Sequence, residues 1–349
     1  MYNLINENRL ILADNIGYAY TEKAFHEIIN LSIEKEQIEI ENTDNFATFS
    51  AVIAAHDDHV YSSRVNIHIF PKFKCKRVII FGVNHKTKGI HDHLIFDNFS
   101  EWRSIYGNVK VDKDLREKII QELKEREYED KIIISNEIHA KEYSIEALIP
   151  WLQYFNKEVE IIPIIVPRFL SIESINKMAN IMGNILNEEV KKRNWKIGDD
   201  IGFLFSNDCI HYGDEGFNTA VFGTTERSHE QAIERDQKII QDYLRNNPTK
   251  EKINDFVREL FDFETLTSKI AWCGTFSIAF GLLCYISIIE LLQKQTKSVI
   301  VKYGSSYSFG PLNSPVIENE FQTKGSPGPT APCNLNHWVG YTSIGYILE

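Results

Sequence analysis

Three apolar, strand-like runs of this 349-residue chain each end in residues that can bind a metal or move a proton. Ala51–Ala55 leads into His56, Asp57, Asp58 and His59. Arg77–Phe81 leads into His85, and Asp200–Phe205 leads into Asp208 and His211. Short apolar runs bounded by polar turns are the pattern of buried parallel strands. In open α/β sheets, ligands sit beyond the carboxyl ends of such strands. If the three runs are neighbours in one sheet, their imidazoles and carboxylate converge on one cleft. Paired buried histidines commonly share a metal; the plainer alternative is two separate histidines that hydrogen-bond helix N-termini.

Further groups could serve the same cleft. If a helix begins at Asp208, its carboxylate and the His211 imidazole share a face at i and i+3. That pairing suits an orienting carboxylate beside a general acid/base histidine, or else Asp208 is simply an N-cap. Cys273-Gly274 opens the most apolar stretch, Ile270–Leu292. A cysteine at a helix N-terminus can be a thiolate, or equally an inert buried thiol. Glu142 and Glu146 lie four apart at the start of a helix-like run to Phe155, either capping it or holding a ligating histidine from behind. His59, His91, His93 and His139 are weaker candidates for facing a polar substrate.

The elements that must position these groups alternate between strands and helices. Helices are expected over Glu22–Glu34, Ser62–Pro71, Asp112–Tyr128, Ser171–Arg193, Ser228–Arg245, Lys250–Phe261 and Ile270–Gln293. A further central strand is expected over Val159–Val166, with late β-runs over Ser298–Tyr307 and His337–Leu348. Lys324–Pro332 is too rich in Gly and Pro for regular structure and reads as a loop insertion. With no repeat and no dividing linker, residues 1–349 read as one α/β domain with a central, largely parallel sheet flanked by helices. Ser277, two glycines and Glu290 inside the apolar stretch favour a buried helix over a membrane span.

Composition narrows the function. The net charge of −11, from 38 basic and 49 acidic residues, argues against nucleic acid or an anionic membrane as partner. Five cysteines with no CxxC pair fit a reducing, cytoplasmic setting. There is no GxGxxG, Walker lysine, GxSxG elbow or HExxH, which removes the common nucleotide, serine-hydrolase and zincin chemistries.

The order of the motifs resembles the Memo family. Val52–Ser62 resembles its "IAPHAGYxYSG", Ile80–His85 its "LGPSHH" and Glu142–Trp151 its "EHSIEVQLPF". Ile161–Val166 is similar to "IVPILVG", Ser206–Gly213 to "SSDLSHYG", Trp272–Gly274 to "ICG" and Val339–Ser343 to "VGYAS". The resemblance implies a fold like that of class III extradiol ring-cleaving dioxygenases, which are non-haem Fe(II) enzymes. It also implies a metal held by His56, His85 and Cys273, with Asp208 and His211 as catalytic groups. His59, Asp57, Glu142, Tyr143, Glu146 and Tyr341 would then contact the substrate or support the ligands. Departures fall at Asp57, Asp58 and His59, at Lys86 and at Tyr143. The expectation is an Fe(II)-dependent, dioxygenase-like oxidoreductase acting with O2 on a small polar or aromatic substrate, with Cu or Zn as other ions the donor set suits. The alternatives are a non-catalytic copper- or iron-binding or peptide-binding protein, or a zinc hydrolase or lyase. A homo-oligomer and a functional link to a radical-SAM protein are also compatible with the family.

Overall fold

The computed structural model describes residues 8–9, 17–43, 48–324, 329, 331 and 333–349. The strands used below are β1 (Ala51–Ala54), β2 (Arg77–Val83), β3 (Glu160–Val166), β4 (Ile201–Ser206), β5 (His211–Gly213), β6 (Thr296–Ser305) and β7 (His337–Leu348). The three runs singled out in the sequence are adjacent and parallel, in the order β2-β4-β1, and β3 pairs parallel on the other side of β2. Phe81 pairs with Phe205, and Ala54 with Ser206, so the carboxyl ends lie side by side. β7 pairs antiparallel with β1 and with β6, giving a mixed but mainly parallel centre.

Both faces of these strands are apolar, as parallel strands covered by helices require. Alternation at period two sends Ile53, Ile79, Phe81, Ile162 and Phe205 to one face and Val52, Val78, Ile80, Ile161 and Leu204 to the other. The helices used below are α1 (Glu22–Thr43), α2 (His59–Asn66), α3 (Ile172–Lys192), α4 (Glu226–Ile239), α5 (Lys250–Leu260) and α6 (Thr275–Leu291). α3, α5 and α6 pack on the first face; α1 and α2 pack on the second. α6 is buried all round from Thr275 to Ile289, as its unbroken apolar sequence suggests. No helix among the described residues is long and apolar enough to cross a membrane.

Several expected boundaries move for local reasons. Ser171 and Asp112 are N-caps rather than first helical residues, each accepting a backbone N–H of the first turn. The helix expected over Glu142–Phe155 is interrupted. Glu142 is extended, a 3-10 turn spans Glu146–Leu148, and the α-helix proper runs over Ile149–Phe155. Pro150 is tolerated only in a first helical turn, so Glu142 and Glu146 do not share a helical face. No helix follows Asp208: Ile210 bridges Trp272 and His211–Gly213 pairs with β7. The Gly/Pro-rich loop expected over 324–332 falls mostly outside the described residues.

A buried ion cluster ties α1, α2 and β6 together. The Glu36 carboxylate accepts from Arg64 Nε at 2.7 Å and lies 2.7 Å from Lys302 Nζ and 3.4 Å from His68 Nε2. Burial by itself would raise this carboxyl, but His68, Lys302 and Arg64 hold it at about 2. A depressed carboxyl stabilises fully above its unfolded value and loses that contribution as pH falls toward the folded value. Glu36→Gln should therefore cost about 3 kcal/mol at pH 7, and the gap to the parent should close between about pH 4.5 and 2 in urea titrations. A gap independent of pH would contradict this assignment.

Candidate metal centre

His56 follows β1 directly, and its position is set from both ends of its ring. Its Nδ1 lies 2.7 Å from Ser206 Oγ, and that hydroxyl donates its one hydrogen to the Ser144 carbonyl at 2.7 Å. Ser206 must then accept from His56, which assigns the proton to Nδ1 and leaves the lone pair on Nε2. Nε2 lies 3.4 Å from Cys273 Sγ and 3.2 Å from Asp208 Oδ2. Burial, then the neighbouring His85 and His211, push the His56 imidazole well below its usual range, so it is a neutral donor.

His85 is held in the same way by a different partner. Glu142 accepts from His85 Nδ1 at 2.9 Å and from its backbone N–H at 2.7 Å, and also from the N–H groups of Tyr143 and Ser144 at 3.0 Å. Burial alone would raise the Glu142 carboxyl; His85 and these amides bring it below the ordinary value. The His85 ring stacks on Tyr143 at 4.7 Å and 8° and meets His56 edge-on at 5.2 Å. Ser144 closes the corner by exchanging hydrogen bonds with Val83 at the end of β2. The extended conformation at Glu142 and the break before Pro150 are what let this loop fold back over the sheet edge.

Cys273 sits immediately before Gly274, the N-cap of α6. Its Sγ accepts from the Asp208 backbone N–H at 3.1 Å, and its own N–H donates to the Asp208 carbonyl at 3.3 Å. Gly274 packs directly on Asn207, where a Cβ would lie 2.4 Å from Oδ1, so no larger residue fits beside the cysteine. Donor atoms of His56, His85 and Cys273 all lie within 4.8 Å of one another. Two imidazoles and one thiol sulfur form a soft, three-donor set of the kind that suits a transition metal.

The surrounding charge favours a cation there. Burial, and then the Asp57 carboxylate, push Asp208 well above the usual carboxylate range. Desolvation and then Asp208 push the Cys273 thiol up. Burial also raises Asp57, against hydrogen bonds from the Asp58 N–H and the Tyr341 hydroxyl. A positive ion between the donors would relieve all three, because it stabilises each anionic form. His85 and Cys273 also line a cavity of about 620 Å³, the size of a small-molecule site.

Other expected residues are placed differently. Asp208 turns to His56 rather than to His211. His211 Nδ1 donates instead to the carbonyls of Cys209 and Ala271, at 3.1 and 3.2 Å, because the chain runs extended there. Burial pushes His211 down to about 4. His59 is internal: Nδ1 accepts from the Ala19 N–H, Nε2 donates to the Ala147 carbonyl, and Tyr18 stacks on the ring at 4.8 Å. Glu146 lines a separate small crevice with Tyr18 and His59. His139 is buried against Trp102. His91 lines the cavity, and its carbonyl accepts from His93 Nδ1. Lys86 lies over the Tyr143 ring at 5.0 Å.

Sequence reading missed Ser206 and Ser144, whose only signal is adjacency to the motif residues. It also missed Asp236 in α4, far from any motif. Asp236 is fully buried and accepts from Ile210 N–H at 3.2 Å, Trp272 Nε1 at 2.8 Å and Tyr303 hydroxyl at 2.7 Å. It thereby ties the residue before His211 to the residue before Cys273. Burial raises its carboxyl to about 6 despite these donors.

Comparison with known proteins gives one consistent result. A family profile described as "Memo-like protein" matches residues 15–317. A MEMO1 family protein of Aquifex aeolicus is 25% identical over 260 residues, covering 73% of this chain and 78% of its own length. One of Saccharolobus solfataricus is 27% identical over 219 residues, covering 61% and 68%. One of Methanosarcina barkeri is 28% identical over 163 residues, covering 46% and 54%.

The Asp236 hub can be tested without any assay of function. Asp236→Asn keeps the shape but turns one acceptor into a donor that faces other donors. It should lower stability by about 1–3 kcal/mol in urea unfolding and speed alkylation of Cys273 under native conditions. Unchanged stability and unchanged labelling would remove Asp236 from the support of the centre.

Proposed function

The chain belongs to the Memo-like protein family, and we propose that its His56–His85–Cys273 cluster holds one Fe(II) ion and serves an oxidoreductase acting with O2 on a small substrate. The observation that carries this reading is the three-donor cluster opening onto a cavity of about 620 Å³. When bound, a redox-active ion supplies the electron that O2 needs to react with a closed-shell organic molecule.

The residues of the chain do the rest. Ser206 and Glu142 fix the protons of His56 and His85 on Nδ1, so both Nε2 lone pairs stay free for the ion. Tyr143, stacked on His85, blocks rotation of that ring. His211, with its Nδ1–H spent on two carbonyls, keeps Nε2 as the free base. It is neutral at pH 7, and in this reading it takes a proton from the substrate and returns it later. Asp208 orients His56 and not His211, so its role is to support the ligand.

The thiol also favours a second reading. Two histidines and a cysteine are the donor set of copper electron-transfer sites, so a copper-binding protein without turnover is the alternative. Anaerobic loading with Fe(II) and with Cu(I), followed by elemental analysis and O2 consumption, separates the two.

Under the leading reading, anaerobically purified protein should carry about one Fe(II) per chain, as a single three-donor site requires. His56→Ala or His85→Ala should abolish it, and Glu142→Gln should weaken affinity by roughly 10–100-fold without unfolding the chain. Full metal occupancy in both histidine variants would sink the assignment.

His211→Ala should leave the metal bound and slow O2 consumption by roughly 10²–10⁴-fold. A variant that keeps its full per-molecule rate would exclude His211 from the reaction.

A further inference from the structure

The cavity beside the cluster has a charge pattern opposite to that of the chain. The protein carries a net charge of −11, yet no aspartate or glutamate lines this space, whereas Lys88, Arg168 and His91 do. The nearest acid in the sequence, Asp92, is turned away and accepts from the Leu170 N–H at 3.0 Å and the Ser174 hydroxyl at 2.7 Å. Glu142 accepts from His85 Nδ1, and Asp208 accepts from the His56 backbone N–H at 3.1 Å.

The cations are built in by the fold. Arg168 follows β3 by two residues, and Lys88 lies in the loop after β2. The two strands are parallel neighbours, and His91 bridges Arg168 directly. Among the described residues no carboxylate pairs with Arg168. One of its N–H groups donates to the Leu266 carbonyl at 2.7 Å, and the guanidinium rests over the Phe261 ring at 5.0 Å. That leaves other donors of its fork available. His91 lines the same wall, and its Nδ1 atom is buried without a hydrogen-bond partner. Val83, Ile90, Val166, Trp272 and Phe276 give the cavity an apolar side, and Asn84, Thr87, Ser268 and Thr275 add neutral polar groups.

We propose that this cavity takes a small organic oxyanion: a flat or compact apolar body lying on Trp272 and Phe276, with a carboxylate or phosphate group held by Arg168, Lys88 and His91. Arginine's fork matches either oxyanion in two-pronged fashion. The inference rests on the reading that this cavity is the substrate site.

The test uses benzoate, phenyl phosphate and the uncharged benzamide as probes, titrated calorimetrically into Fe(II)-loaded and metal-free full-length protein. Benzoate or phenyl phosphate should bind at least about 10-fold more tightly than benzamide in both forms, the better of the two identifying carboxylate or phosphate as the group. Arg168→Gln with Lys88→Gln should erase that preference while the protein still unfolds cooperatively, because both side chains are exposed and only the Arg168 contacts to Leu266 and Phe261 are lost. The preference should also shrink with added salt. Equal binding of all three probes, binding of none, or an anion preference that survives the double substitution would overturn the proposal. Iron content of the same samples keeps the two readings separate. A fully loaded protein without anion preference refutes only this inference, and an anion preference in a chain that takes up no iron refutes only the metal assignment.

Discussion

A thiol and two carboxylates crowded at the end of a parallel sheet repel one another unless something positive stands between them. Asp57, Asp208 and Cys273 are in that position, and each is driven toward its protonated form by burial and by its neighbours. The His56 imidazole in the same space does not supply the charge, since burial keeps it neutral. A cation at the meeting point of the three donors would satisfy the whole arrangement at once. The surrounding features are consistent with that demand: a free Nε2 lone pair on His56, a backbone N–H aimed at the sulfur, and a glycine beside the cysteine.

The scaffold meets the demand by register and by corners. Parallel pairing of β1, β4 and β2 sets His56, Asp208 and His85 side by side, and α6 brings Cys273 over them from the other end of the chain. Two small hydrogen-bonded corners finish the job. Ser144 locks the Glu142 loop to the end of β2, and Asp236 locks the His211 segment to the Cys273 segment. These contacts lie behind the donors, and orientation of metal ligands usually depends on such contacts as much as on the ligands themselves.

Much of this was legible in the sequence because period-two and apolar patterning fixes strand location within one or two residues. The four central strands, their adjacency and the apolar helix after Cys273 fall where the pattern puts them. Glu142 behind His85 was legible as one of two options. What the pattern could not give was whatever depends on chain direction over a few residues. The i, i+3 pairing of Asp208 and His211 presumes a helix, but β-bridging to Trp272 and β7 keeps the segment extended and sends the two side chains to different partners. His59 looked like a cleft residue from its neighbours, yet it is the first residue of α2 and points into the core beside Tyr18. Asp236 carries no local signal, because its three donors come from segments 26 to 67 residues away.

The central claim is that His56, His85 and Cys273 together bind one metal ion. X-ray absorption spectroscopy of the Fe(II)-loaded protein tests it most directly, because it reports the ligand atoms themselves. The account predicts one sulfur neighbour and the scattering of two imidazoles, with the sulfur contribution lost in Cys273→Ser. An all-oxygen or all-nitrogen shell, or a sulfur contribution that survives Cys273→Ser, would contradict it.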